Sequence, residues 1–272
     1  MYVLSLDPLA WGLFAIAGAL AGFLAGLLGI GGGMIIVPAL ILSFQWQGVS
    51  IDVLTHLAVG TSLASIVFTS ISSVRTHHHN QGVDWPLLRR LAPALMIGSV
   101  LGAQIAHALP ARALQLIIAA FAIWTGGKML LGRKPVAEDR PLPDSTRLTA
   151  AGGLIGVASA IFGIGGGSLM VPYLVHHGVA MRRAVGTAAA CGFPIAVAGA
   201  AGFIWSGWRE PGLPAGSTGY IYWPALAGIA LTSIVFAHYG AVSAHRLPAA
   251  TLKRAFGVVL ILVGIRFLFG IH

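Results

Sequence analysis

Long apolar stretches separated by short polar punctuation set the pattern of this chain. Stretches such as Ala10–Ile30, Pro86–Leu109 and Ala249–Ile265 approach or exceed the roughly 18 to 20 residues a helix needs to cross a hydrocarbon core of about 30 Å. Runs this extended, without sustained alternation, predict a helical bundle and not a barrel. Two runs carry a glycine cluster, "LLGIGGGMIIVP" from Leu27 and "IFGIGGGSLMVP" from Ile161. One glycine in a helix interior costs about 1 kcal/mol relative to alanine, so three together mark a break. After the first cluster, Met34–Ser43 spans only about 15 Å of helix, half the core. Added to Ala10–Ile30, it is too long for one straight crossing. The pattern predicts a segment that turns at the glycines and returns.

The same signals recur in the same order. "GIGGG" followed by "VP" occurs at Gly29 and Gly163, "AVGT" at Ala58 and Ala184, and Trp-Pro at Trp85 and Trp223. "GAQIAHALP" from Gly102 matches "GAVSAHRLP" from Gly240. The predicted fold is therefore an all-α, polytopic helical bundle of two repeats, each with one broken, re-entrant element and three transmembrane helices. Residues 1–131 form the N-terminal repeat and 148–272 the C-terminal one. Between them, 132–147 ("GRKPVAEDRPLPDSTR") is rich in proline and mixed charge, which reads as a solvated linker. A second polar stretch, from Ser206, is longer than its counterpart and reads as an insertion.

Composition fixes the environment. The chain is 57% hydrophobic and 8% charged, with a mean hydropathy of +0.88, which predicts an integral membrane protein. The opening "MYVLSLDPLAWGLF" has no basic n-region and carries Asp7, so the first helix is expected to remain. Cys191 is the sole cysteine and reads as packing. A net charge of +9 marks cytoplasmic loops here, not a nucleic-acid partner. If each broken element enters and leaves on one side, 13 of the 16 basic residues fall on the linker side, leaving Arg112, Arg209 and Arg266 opposite. The positive-inside rule then predicts inverted repeats, a cytoplasmic linker and both termini outside.

Together these residues resemble the TauE/SafE sulfite exporter family of bacterial membrane transporters. The resemblance rests on the paired "GxGGG…VP" elements and on the loop "VRTHHHNQGVDW", and covers Trp11 to Phe269. It implies transport of small sulfur-containing anions, sulfite or organosulfonates, usually outward across the inner membrane. The partners expected are that anion and the lipid bilayer; a homodimer is compatible with the chain.

The residues supply their own argument for an anion. A half-helix starting inside the membrane presents free backbone N–H groups and a partial positive charge. Gly31, Gly32 and Gly33, with Gly165, Gly166 and Gly167, would let a ligand approach those groups, and valine at Gly32 or Gly166 is predicted to block it in a folded protein. Close helix packing is the competing role for these glycines. Thr61, Ser62, Thr187 and Ser168 are candidate hydroxyl ligands, against the alternative of bonding to their own helices. His238 is an intramembrane ionisable group without a counterpart in the first repeat, which makes it a further candidate. His77, His78, His79, His176 and His177 lack a carboxylate or cysteine at ligand spacing and read as interfacial, so no metal is expected. His107 and His245 precede Leu-Pro and read as helix caps. All seven carboxylates fall in loops or near segment ends, and no "GxSxG", Walker or dinucleotide fingerprint is present. No catalytic residue or cofactor is predicted. An anion channel is the nearer alternative to a carrier, and an intramembrane enzyme the more distant.

Overall fold

The computed structural model describes residues 8–28, 32–131, 142–243 and 249–269. Its helices are α1 (Pro8–Leu28), α2 (Gly33–Trp46), α3 (Ile51–His79), α4 (Trp85–Ala108), α5 (Ala111–Leu131), α6 (Ser145–Phe162), α7 (Gly167–His176), α8 (Met181–Ser206), α9 (Trp223–Ser243) and α10 (Ala249–Phe269). A two-residue hairpin, β1 (Ser217–Thr218) with β2 (Ile221–Tyr222), precedes α9. Six of the helices, α1, α3, α4, α5, α6 and α8, are each long and apolar enough to cross a membrane.

The punctuation read from the sequence sets the helix starts. Proline is tolerated in a first turn, where its missing N–H would have had no intrahelical partner, and Pro8 and Pro86 occupy such positions. Asp84 caps α4 by accepting the Leu87 N–H at 3.1 Å. Most of the predicted linker, 132–141, lies outside the described residues; α6 begins at Ser145, so 145–147 are helical. One expectation needs correction. α2 has 14 residues, not ten, because Phe44 beyond the expected end is buried between Phe14 and Tyr222 in edge contacts of 6.4 and 5.7 Å. α7 has ten.

Side-chain periodicity cannot orient helices that are apolar all round, and backbone approach does so instead. α1 lies parallel to α9: Gly18 faces Ile229 and Thr232, Gly22 the Ser233 carbonyl, and Gly240 the Phe23 carbonyl. α4 lies parallel to α6 through Gly152 against Leu91, Gly156 against the Leu95 carbonyl, and Gly102 against the Val157 carbonyl. These contacts correspond residue for residue under the sequence repeat. α3 and α8 run antiparallel, with Gly60 by Phe203, Leu63 by Gly199 and Gly82 by Gly186. α5 and α10 also run antiparallel, Gly126 meeting Gly257 and Gly264 meeting Ala119. α2 folds back along α1, since Gly32 stands by the Ala21 carbonyl while Phe44 reaches Phe14.

Candidate functional site

Each break is built from glycines held where other residues are strained. Gly32 (φ 72°) and Gly166 (φ 73°) immediately precede α2 and α7, and Gly163 (φ 64°) ends α6. Gly31, with Gly29 and Ile30, lies outside the described residues. The first amides bonded back into the half-helices are those of Ile35, to the Gly32 carbonyl, and Leu169, to the Gly166 carbonyl. The N–H groups of Gly33, Met34, Gly167 and Ser168 therefore have no intrahelical acceptor.

The fold brings the breaks side by side. Gly33 packs directly on the Gly163 carbonyl and on Ile164, and Ser62 Oγ donates to the same carbonyl at 2.8 Å. Three buried hydroxyls around the second break have no hydrogen-bond partner, those of Ser159, Ser168 and Ser73. Ser159 Oγ stands 3.2 Å from where a Cβ on Gly166 would lie. Ser73 lines a void of about 10 Å³ with Gly165, Gly192 and Thr69. Beside the first break a void of about 20 Å³ is lined by Gly33, Met34, Ile164 and Thr125, whose buried Oγ1 is also unpartnered. A water needs roughly 10 to 15 Å³, so both voids are of single-water size. Only water-sized spaces remain at the breaks.

Of the residues singled out in the sequence, Gly32, Gly33, Gly165, Gly166, Gly167, Ser62 and Ser168 gather here. Thr61 and Thr187 are occupied elsewhere. Thr61 Oγ1 accepts the Tyr222 N–H at 3.0 Å, and Thr187 Oγ1 accepts the Asp84 N–H at 2.9 Å. Each "AVGT" threonine thus anchors the entry to the Trp-Pro helix of the other repeat, and Gly60 and Gly186 admit the adjoining chain at Tyr220 and Gly82. His238 is exposed on α9, its ring 5.9 Å from Tyr239, because the phase of the helix turns Ala237 inward. It does not reach the breaks.

The other described histidines from the sequence reading lie at helix ends. His77, His78 and His79 form the last turn of α3, and His176 and His177 end α7. His107 Nδ1 meets the Tyr220 hydroxyl at 3.1 Å in place of a helix-end carbonyl; His245 lies outside the described residues. Tyr220 lies outside the spanning helices. Burial, and then the Glu210 carboxylate, push its phenol above the usual tyrosine range, so it stays protonated as the partner of His107. Ser159, Ser73 and Thr125 were not singled out from the sequence. Ser159 and Ser73 correspond to Ala25 and Gly199 in the other repeat, so comparing repeats gives no signal for them.

Residues 14–267 match the family described as Sulfite exporter TauE/SafE. This chain belongs to the TauE/SafE family. A probable membrane transporter protein of Haemophilus influenzae is 39% identical over 93% of this chain and 96% of its own length. The Bacillus subtilis probable membrane transporter protein YdhB is 25% identical over 92% of this chain and 97% of its own length. A Methanocaldococcus jannaschii relative, also a probable membrane transporter protein, is 29% identical over 64% of each chain. No solved structure matches. As a member of the TauE/SafE family the protein is a multi-pass membrane transporter and not an enzyme.

Proposed function

We propose that this TauE/SafE transporter carries sulfite or a small organosulfonate across the bacterial inner membrane, binding the anion between the two glycine breaks. The observation that carries the reading is the packing of the first half-helix start, at Gly33, on the second break at Gly163 and Ile164, with the unpartnered buried hydroxyls of Ser159 and Ser168 at that break. Free first-turn amides and hydroxyl protons are donors, and a compact oxyanion offers acceptors on every side. The described carboxylates Asp52, Asp84, Asp144 and Glu210 lie at helix starts or in a loop, away from the breaks, so none opposes an anion there. The family description names sulfite and export.

The breaks act within two inverted repeats. Supporting this reading, corresponding helices α3 and α8 run antiparallel, as do α5 and α10. The partition of basic residues supports a cytoplasmic linker and termini outside. The small size of the voids at the breaks, about 20 and 10 Å³, favours a carrier that alternates between states over a continuous open anion channel. Transport would open the anion site to one side at a time as the repeats rock.

Flux into liposomes tests the proposal. Sulfite, taurine and methanesulfonate are each offered to reconstituted protein, and the flux of at least one should saturate with concentration. Ser159→Ala combined with Ser168→Ala is expected to raise KM about tenfold or more, the loss of one or two charge-assisted hydrogen bonds. Unchanged flux in that variant would remove the breaks as the binding site. Failure of all three anions to move would remove the substrate class.

A further inference from the structure

A cavity of about 390 Å³ lies away from the breaks. It opens at the end of the bundle where α2, α4 and α10 finish and α3 and α5 begin. Its polar lining is Arg112, Gln115, Thr55 and Gln45, set against an apolar wall that includes Ile51 and Leu54. Arg112 is one of only three basic residues assigned to this end of the molecule.

The Arg112 guanidinium is fixed in place. It donates to Gln115 Oε1, to the Phe267 carbonyl and to the Leu268 carbonyl, each at 3.0 Å. Among the described residues no carboxylate pairs with it. Gln115 is only 7% exposed, and with its oxygen committed to Arg112 its amide N–H groups remain free for the cavity. Thr55, 2% exposed, adds a hydroxyl. A guanidinium, an amide and a hydroxyl beside an apolar wall match a compact oxyanion carrying a short alkyl group.

The cavity shares two of its helices with the void at the first break. Gln45 of α2 and Gln115 of α5 line it, while Gly33, Met34, Val37 and Pro38 of α2 with Ile118 and Thr125 of α5 line the void at the first break. Gln115 and Ile118 are three positions apart, about 4.5 Å of helix rise, and Ile118 is 4% exposed.

We propose that this cavity is a vestibule in which Arg112, Gln115 and Thr55 hold a small alkylsulfonate or similar oxyanion on its path, between α2 and α5, linking the first break with the outer end of the bundle, with Ile118 as the constriction. The inference rests on the transport reading above for its destination, and stands apart from it for the binding site. A role for Arg112 as nothing more than a cap on α10 predicts no preference for anions in the cavity.

Thiol reactivity in purified protein separates the two. In a Cys191→Ala background, Thr55→Cys puts a thiol in the vestibule and Pro211→Cys supplies an exposed control in the loop before β1. Each reacts with sulfonatoethyl methanethiosulfonate, an anion, and with its trimethylammonioethyl counterpart, a cation. The anion-to-cation rate ratio at Thr55→Cys should exceed that at Pro211→Cys by about tenfold, the scale of local electrostatic focusing. Adding Arg112→Gln should bring the ratio to within about twofold of the control, and Arg112→Lys should keep most of it. Methanesulfonate should slow the anionic reagent more than chloride at equal ionic strength. Equal ratios with and without Arg112, or a Thr55→Cys thiol inert to both reagents while the control reacts, overturns the vestibule. Should Arg112→Gln fail to fold, Gln115→Leu replaces it and must lower the ratio. An anion-selective vestibule in a protein that moves no sulfonate would count against the transport reading alone; sulfonate flux without selectivity would count against the vestibule alone.

Discussion

Gly32 and Gly166 are conformational requirements as well as proposed points of approach for the anion, and this changes how they can be probed. Gly32 combines a φ of 72° with the Ala21 carbonyl oxygen 2.9 Å from where a Cβ would stand, so valine there is expected to disrupt the fold and not to leave an intact, blocked site. Three alanine variants separate the contributions. Gly48→Ala has φ 74° and open space, and should cost about 1 to 2 kcal/mol for the backbone alone. Gly32→Ala should cost more, because the carbonyl contact adds to it. Gly12→Ala, helical and unobstructed, should gain about 0.5 to 1 kcal/mol. Thermal unfolding in detergent ranks the three, and equal costs at Gly32 and Gly48 would remove the packing contribution. The unpartnered serines near Gly166 are cleaner functional probes, since deleting an unsatisfied buried hydroxyl need not destabilise.

Threonine and helix start join the repeats at the scale of elements. Thr61 accepts from Tyr222 just before α9, and Thr187 from Asp84 just before α4, so each α3 or α8 element fixes where a helix of the other repeat enters. Replacing either threonine with valine keeps the shape and orphans a backbone N–H. The expected cost is about 1 to 3 kcal/mol per site. Thr61→Val should be the more costly, because Tyr222 is 2% exposed whereas the Asp84 side chain is 22% exposed and water can substitute. Melting temperatures of the single variants and the double one test this, and near-additivity is expected for separated sites. "AVGT" was visible as a repeated motif, yet its partner was not. The hydroxyl's acceptor role toward a strand of chain more than a hundred residues away has no signature in local sequence.

For the whole molecule, helix direction and charge combine into a testable orientation. α1, α3 and α9 run one way and α4, α6 and α8 the other, so the loop at Pro211 and the start of α6 at Arg147 sit at opposite ends. With Cys191 replaced, Pro211→Cys in intact cells should react with an impermeant maleimide. Arg147→Cys should react only after the membrane is opened. The reverse labelling would invert the proposed topology, and with it the side from which the Arg112 vestibule is reached.

Membrane class, the two breaks and the order of repeated elements were legible in the chain itself, because run length, glycine clusters and Trp-Pro helix starts are one-dimensional signals. The faces of the helices were not. In a bundle where helices are apolar all round, no periodicity tells an inward residue from a lipid-facing one. Contacts of glycine with carbonyl oxygen decided that instead, setting the phase that turns His238 outward and Ser159 inward. The same packing engaged Thr61 and Thr187 with backbone N–H groups, left Ser73, Ser159 and Thr125 unpartnered beside the breaks, and put Arg112 over a cavity. Sequence determined that there would be a broken, duplicated membrane bundle; only tertiary packing, through how closely backbones approach at each glycine, decided which polar groups face its interior.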